Sequence, residues 1–160
     1  MHKEALLQQI ITLLTTDLNT LTAAAKTAHA AATHAECLPD NKYDTTGLEA
    51  SYIAQGQANR AQDIRQSLDR YQKLITRDFD DETPIRLTAL VTMEDEHGSH
   101  RRVFLGPDAG GLKLVDEDEE CVVITPESPL GRALLGKVCG DEVETGGGTS
   151  RKVFTIVAVS

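Results

Sequence analysis

The amino-acid sequence predicts an α+β protein, in which an antiparallel helical hairpin precedes a small antiparallel β-sheet domain with one short helix. Two observations carry this prediction. Apolar residues recur at alternating four- and three-residue intervals in the first half, whereas short β-rich runs separated by glycines fill the second. Residues 1–78 are therefore predicted to form an antiparallel coiled coil, and residues 79–160 a separate domain.

The first helix is predicted from a heptad pattern. Apolar residues occupy the a and d positions of a coiled-coil seam, namely Leu7, Ile11, Leu14, Leu18, Leu21, Ala25, Ala28, Ala32 and Ala35. The pattern passes from Leu and Ile to Ala, so a partner helix can approach more closely at the far end. Pro39 ends the helix, because proline lacks a backbone N–H and disfavours helical geometry at Leu38.

The second helix is predicted to begin at Thr46, which forms a capping box with Glu49. Its seam has the same spacing and passes from small to large side chains through Ala50, Ala54, Gln57, Ala61, Ile64, Leu68, Tyr71 and Ile75. Two seams of matched taper joined by a short turn favour antiparallel pairing. The tip falls at about residues 38–46, and an arm of about 30 residues is roughly 45 Å long.

The second half carries strand signals. Four runs are rich in β-forming residues, at positions 85–91, 101–105, 121–124 and 153–159. Glycines between them mark turns, and residues 97–100 are predicted to form a polar hairpin turn. A short helix is predicted after Ser128, with Ser128 as N-cap, Pro129 at the first helical position and Gly136 at the end.

Composition and charge exclude several classes of function. The formal net charge of −9 argues against duplex-DNA binding, which depends on Lys and Arg neutralising phosphates. Most of the excess acid lies in residues 79–160, including the run 116–120, which favours a solvated loop over a surface for a basic partner. No apolar run is long enough to span a membrane and no signal peptide is evident, so we expect a cytoplasmic protein. Three cysteines without C-x-x-C spacing predict free thiols.

The segment from Ile124 to Lys137 resembles the C-terminal signature of the Gre family of transcription factors. The resemblance lies in the Ser128-Pro129 dipeptide, an Ala/Leu-rich helix and a closing Gly136-Lys137, followed by acidic residues, a glycine-containing turn and a final strand. It implies an FKBP-like C-terminal domain that docks on RNA polymerase. Ser128, Pro129, Arg132 and Lys137 are the docking residues that it suggests.

The resemblance also implies a mechanism. In this family the hairpin enters the secondary channel of RNA polymerase, and acidic residues at its tip help to hold an Mg²⁺ ion that the polymerase uses to cleave backtracked RNA at its 3′ end. By position, the corresponding residues here are Asn41 and Asp44, and Asp40, one residue before Asn41, could substitute for the carboxylate that Asn41 lacks. Asn41, Lys42 and Tyr43 are the remaining predicted tip contacts. The factor itself would be a monomer without a cofactor of its own or enzymatic activity.

Asn41 leaves a second function open, since an amide replaces a carboxylate that is usual at the tip of these factors. A Gre-like protein that occupies the channel without stimulating cleavage is the alternative. Two further classes are less favoured. A peptidyl-prolyl isomerase needs an aromatic pocket, but the second half offers only three Phe. A coiled-coil scaffold needs a partner along the seam, whereas the tapered seams favour internal pairing.

The second helix also carries a basic series, Arg60, Arg65, Arg70, Lys73 and Arg77. The last three recur at helical spacing and are predicted to share one face. A solvated flank of the coiled coil is the favoured interpretation, and contact with RNA or with acidic parts of the polymerase is the alternative. His34 and Cys37 are also three residues apart, but a zinc site is not favoured because no second pair accompanies them.

Overall fold

The computed structural model describes residues 2–37 and 46–160, apart from the side chains of residues 28, 32–37, 46, 47 and 50. The elements within this part are α1 (Lys3–Cys37), α2 (Thr46–Gln72), β1 (Leu90–Asp95), β2 (His100–Leu105), β3 (Lys113–Asp116), β4 (Glu119–Ile124), α3 (Pro129–Leu134), β5 (Glu142–Thr145) and β6 (Lys152–Val159), with one 3₁₀ turn at Gly148–Ser150. The chain divides into two compact units. One comprises Ile11–Asp69, and the other comprises Arg70–Ser160 together with the first residues up to Ile10.

The Ile11–Asp69 unit contains the paired parts of α1 and α2. Leu14, Ala54, Ala61 and Leu68 are buried, and all four lie on the predicted seams. Residues 22–29 of α1 line one groove with residues 51–65 of α2, and residues 17–21 line another with residues 57–64. Later residues of α1 thus lie beside earlier residues of α2, as antiparallel pairing requires. Both helices are long, with 35 and 27 residues.

The second unit is built on a six-stranded sheet with the order β3-β4-β2-β1-β6-β5. Neighbouring strands are antiparallel except β2 and β4, which are parallel. The prediction of a wholly antiparallel sheet is therefore wrong at one pair. The cause is the outer hairpin: the chain leaves β2, forms β3 at the sheet edge and returns as β4 between β3 and β2.

The first predicted strand begins five residues too early. We predicted a strand over residues 85–91, but β1 starts at Leu90. Thr88 adopts a φ of 76°, in the left-handed region that a β-branched residue rarely occupies, and this turns the chain before the strand. Ile85 pairs elsewhere: its N–H donates to the Lys137 carbonyl at 2.8 Å, and its carbonyl accepts from Gly136 N at 2.9 Å.

The two faces of the sheet bury separate sets of side chains. The main core lies on the face that α3 covers, where Val91, Val103, Leu105, Leu130 and Leu134 belong to one cluster of buried residues. Alternate residues point to the second face, where the buried set is Leu90, Phe104, Leu114, Cys121 and Val123. The sheet is therefore covered on both faces.

The ends of the two long helices lie against the second face. Leu6, Ile10 and Tyr71 are almost fully buried in this unit, although only Tyr71 was predicted as a seam residue. Ile75 was also predicted for the seam, and this is wrong. The helix α2 ends at Gln72, and Ile75 is 82% exposed.

An amide side chain of α1 closes one edge of the sheet. Gln9 donates from Nε2 to the Val115 carbonyl and accepts at Oε1 from the Val115 N–H, both at 2.8 Å. Val115 lies in the edge strand β3, and an unpaired edge is a template for pairing with another chain. The side chain therefore replaces the hydrogen bonds that a further strand would make.

The acidic run 116–120 forms the tip of the β3–β4 hairpin. Glu117 and Asp118 both have positive φ, 47° and 69°, as a two-residue type I′ turn requires. Glu119 pairs with Arg102 at 2.6 Å, and Glu120 pairs with Lys113 at 3.1 Å. Part of the run is thus neutralised within the sheet. No helix in the described part of the chain is long and apolar enough to cross a bilayer.

Candidate functional site

The helix α3 has the termini that its sequence predicts. Ser128 is the N-cap, with an extended backbone, and its Oγ accepts from Gly131 N at 3.0 Å. The same hydroxyl donates to the Thr125 carbonyl at 2.7 Å. Pro129 occupies the first turn, and Gly136 follows the helix with a φ of 79°. The predicted N-cap and the stop at Gly136 are confirmed.

Gly131 lets α3 pack closely against the preceding loop. A Cβ atom at this position would lie 1.9 Å from the Thr125 carbonyl oxygen, which is backbone and has little room to move. The chain therefore needs glycine inside a helix, where glycine is otherwise unfavourable. The loop, cap and helix form one rigid unit held on the core by the buried Leu130 and Leu134.

The predicted docking residues are brought together around α3, but they do not play equal parts. Pro129, Arg132 and Lys137 are exposed, whereas the Ser128 hydroxyl is committed to the cap and half-buried. The backbone of Lys137 pairs with Ile85, which fixes the turn after the helix. Leu135, which sequence analysis did not select, is 39% exposed between the two cations and adds an apolar contact. The result is a rigid surface with two positive charges, which we call the α3 surface (Pro129, Arg132, Leu135 and Lys137).

The predicted tip residues lie outside the described residues. These are Asp40, Asn41, Lys42, Tyr43 and Asp44. The side chains of His34 and Cys37 also lie outside, as does that of the predicted capping residue Thr46. Within the described part of the chain, no group of three or more His, Cys, Asp or Glu side chains is placed to hold a metal ion.

The predicted basic face on α2 is not continuous. Arg77 lies beyond the end of α2 at Gln72, so it cannot share a helical face with Arg70. The Arg70 guanidinium instead pairs with the Asp108 carboxylate at 2.8 Å. Beside it, the buried Tyr71 hydroxyl donates to the Asp108 carbonyl at 2.6 Å. Burial raises the pKa of Tyr71 well above its ordinary value. These residues therefore fasten the end of α2 to the sheet unit.

The two cysteines that the structure describes are free thiols. Cys121 is buried, and burial raises its pKa to about 12, so it is not a nucleophile near neutral pH. Burial and the nearby Asp81 also raise the pKa of the Cys139 thiol. The prediction of free thiols is confirmed for this pair.

Comparison with known proteins identifies the class. The family model described as the C-terminal part of the GreA/GreB transcription elongation factors matches residues 81–160, which is half of the chain and includes α3 and the whole sheet. The chain therefore belongs to the GreA/GreB family of transcription elongation factors, whose partner is RNA polymerase.

Solved structures of similar proteins carry related names. GreA factor homolog 1 (Gfh1) of Thermus thermophilus matches at 21% identity and a TM-score of 0.40, over 94% of each chain. Thermus aquaticus Gfh1 matches at 22% and 0.39, over 95% of this chain and 92% of that one. A GreA/GreB factor from Nitrosomonas europaea matches at 20% and 0.37, over 61% of this chain and 78% of that one. No curated protein sequence matches directly.

Proposed function

We propose that this protein binds in the secondary channel of RNA polymerase and stimulates cleavage of backtracked transcripts, which promotes elongation. The observation that carries the proposal is the match of residues 81–160 to the elongation-factor family, because this match covers α3 and all six strands of the sheet. The activity proposed is accessory, because the polymerase performs the hydrolysis. This chain docks on the polymerase, extends its helical hairpin into the channel and provides carboxylates at the hairpin tip.

The two long helices supply the reach. At a rise of about 1.5 Å per residue, α1 is roughly 50 Å long and α2 roughly 40 Å. The buried contact between the helices is made by small side chains in this region. On α2 the buried residues there are Ala54 and Ala61, and the facing part of α1 also carries small side chains. A slim helical pair is suited to a confined channel. The eight residues between the helices, 38–45, include the five predicted tip residues 40–44.

Asp44 and Asp40 are the residues that we propose to act in the polymerase active site. Carboxylate oxygens suit Mg²⁺, which is shared with the polymerase and polarises the attacking water when bound. Asn41 contributes a neutral oxygen and no charge. Lys42 and Tyr43 are proposed to contact the RNA 3′ end. The α3 surface is proposed to dock on the polymerase, with the Arg132 and Lys137 charges facing acidic residues.

A backtracked elongation complex tests this function. RNA polymerase is stalled with an extruded 3′ end, and RNA length is followed with and without the protein. We expect shortened RNA with the wild type and a loss of at least tenfold in cleavage rate with Asp44→Ala. Asp63→Ala is the matched control, since Asp63 is an exposed carboxylate on α2. Equal cleavage by both variants would contradict the role of Asp44.

A second candidate function is supported by Asn41. If the amide does not replace the missing carboxylate, the protein occupies the channel without stimulating cleavage and modulates initiation instead. Unchanged RNA in the backtracked complex, together with altered promoter output in the same preparation, would establish this alternative. Asn41→Asp is then expected to create cleavage activity, because it restores a charge at the family's usual position.

Polymerase binding has its own test. Purified protein is passed with core RNA polymerase over a sizing column, and an Arg132→Ala/Lys137→Ala variant is compared with wild type. We expect co-elution of wild type and weaker binding of the double variant. Lys113→Ala is the control, because Lys113 is an exposed cation on the edge strand β3, and α3 contacts β5 at the opposite edge of the sheet. Absence of binding at micromolar concentration would overturn both candidate functions.

A further inference from the structure

A surface hollow of about 500 Å³ lies at one end of the sheet. Two segments line it: the turn and strand start within residues 95–101, and the beginning of β6 at residues 151–154. It lies away from α3, since no residue of α3 takes part in its lining. Its volume is within the range of pockets that hold small molecules, about 300–1,000 Å³.

Strand register explains which side chains meet there. Asp95 is opposite Phe154, and Arg101 is opposite the buried Met93, so all of them lie on the core-facing side of the sheet. Lys152 precedes Phe154 by two residues and shares that side. Beyond the last core residues, this side of the sheet therefore carries charged side chains, and they line the hollow together with Phe154, which is only 6% exposed.

The charge of the hollow is opposite to that of its surroundings. Residues 79–160 contain 8 Lys and Arg against 16 Asp and Glu. Yet Arg101, Arg151 and Lys152 all line the hollow, with two histidines and only two carboxylates. Three of the eight Lys and Arg residues of this acidic half of the chain therefore line one hollow.

The carboxylates near the hollow do not neutralise these cations fully. Asp95 accepts at Oδ1 from Ser99 N at 2.9 Å and from His97 N at 2.8 Å, which holds the β1–β2 turn. These hydrogen bonds hold the pKa of Asp95 below its ordinary value, with small contributions from the charges of His97 and Lys152. Arg151 pairs with Glu144. Within the described residues, neither the Arg101 side chain nor the Lys152 side chain makes a hydrogen bond or an ion pair; the backbone of Arg101 is paired with Met93 in the sheet.

We propose that this hollow binds a small phosphate-bearing ligand of mononucleotide size, with Arg101 and Lys152 as its principal contacts. Arginine presents a planar fork that matches phosphate oxygens, and lysine adds a point charge. Ser99 and Glu96 at the rim offer groups that can accept from hydroxyls or an amino group.

The number of cations favours phosphate over a single carboxylate. One carboxylate is satisfied by one arginine, whereas this hollow places two cations without an ion-pair partner among the described residues, Arg101 and Lys152, around one space, with the Glu144-paired Arg151 beside them. A di- or triphosphate carries several negative charges on adjacent groups and can engage Arg101 and Lys152 at once. The same chemistry is present in inorganic pyrophosphate and in nucleoside phosphates, so the experiment separates these two sources.

Isothermal titration of the full chain, without polymerase, tests the proposal. The probes are ATP and inorganic pyrophosphate, each at two salt concentrations. We expect binding that weakens with salt, and affinity about tenfold lower in Arg101→Ala and in Lys152→Ala, as expected for loss of one charged contact. Arg86→Ala is the control, an exposed cation of the same unit outside the hollow. Circular dichroism checks that each variant is folded.

Each result decides one point. Weaker binding in both hollow variants but not in the control supports the site. Tighter binding of ATP than of pyrophosphate assigns the ligand as a nucleotide, and equal binding assigns the phosphates alone. No binding of either probe at millimolar concentration, or equal binding by all variants, overturns the proposal. Neither failure affects the proposed polymerase function, because the assay contains no polymerase.

Discussion

Gly106 and Tyr71 are expected to be energetically coupled. A Cβ atom on Gly106 would lie 2.2 Å from the Tyr71 Oη, and that oxygen is held by its hydrogen bond to the Asp108 carbonyl. Gly106→Ala must displace the hydroxyl or the strand, and overpacking of a tight core costs about 1–3 kcal/mol. Tyr71→Phe removes the hydrogen bond alone, which costs about 1 kcal/mol.

The double variant distinguishes this contact from a general loss of stability. Without the hydroxyl, the nearest atoms to the new methyl group are the Tyr71 ring carbon Cζ and Val123 Cγ1, both at 3.1 Å, a tight distance that a small shift can accommodate. We therefore expect Gly106→Ala to cost less than about 1 kcal/mol in the Tyr71→Phe background. The coupling energy would then be about 1–2 kcal/mol, as for residues in contact.

Urea unfolding followed by the amide NMR signals of the β-strands measures the four free energies. Gly147→Ala is the control for glycine replacement, because its backbone has a φ of −147° and a Cβ there meets nothing within 4 Å. Additive effects of Gly106→Ala and Tyr71→Phe would refute the reasoning, since a coupling of zero means that the hydroxyl does not oppose the methyl group.

Three further predictions concern single side chains. Gln9→Ala should lower the free energy of unfolding by about 1 kcal/mol and increase self-association at high concentration, because both edge hydrogen bonds to Val115 are lost. Analytical sedimentation measures the association. A variant that stays monomeric at the same concentrations would contradict this prediction. Ser128→Ala should cost about 1 kcal/mol in urea unfolding through loss of the helix cap, and Ser128→Thr should restore most of it. Asp80→Ala should lower the melting temperature at pH 7. Hydrogen bonds from Thr83 lower the Asp80 pKa, so this stabilisation is present above the ordinary carboxyl pKa of about 3.9 and is lost as the pH falls through the lower, folded-state pKa. A difference in melting temperature between Asp80→Ala and wild type that stays constant down to pH 2 would contradict the Asp80 prediction.

The long helices and α3 were predictable because their signals are local. The heptads place Leu14, Ala61 and Leu68 on buried seams, and Ser128 with Gly136 marks both ends of a short helix. Capping and periodicity act over a few residues, so they are visible in the sequence without knowledge of the fold.

What escaped prediction depends on contacts between distant segments. The parallel pairing of β2 with β4 follows from the path of the chain through β3, and no local pattern encodes it. The burial of Ile10 and the exposure of Ile75 depend on which helix residues meet the sheet. The spacing of Leu6 and Ile10, one helical turn apart, was the available signal for a second apolar face.

The candidate docking surface was partly predictable. Arg132 and Lys137 follow from the sequence motif and are exposed, as a docking surface requires. The exposed Leu135, which lies between them in the sequence, was not selected, because an apolar residue at the end of a core-packed helix is usually buried. The hollow near Arg101 and Lys152 was also missed, since these residues are about fifty positions apart and only strand register brings them together.

Gln9 and Tyr71 belong to the long helices, but both contact the sheet unit. This limits where recombination between related genes can yield a folded protein. A recombination event that joined residues 79–160 to the hairpin of a different parent would replace Gln9 at the β3 edge and Tyr71 against Gly106 with residues not matched to this sheet. Viable hybrids should therefore carry the start of α1 and the end of α2 from the same parent as the sheet. Breakpoints inside the hairpin are expected to survive selection, and breakpoints at its base are expected to be rare.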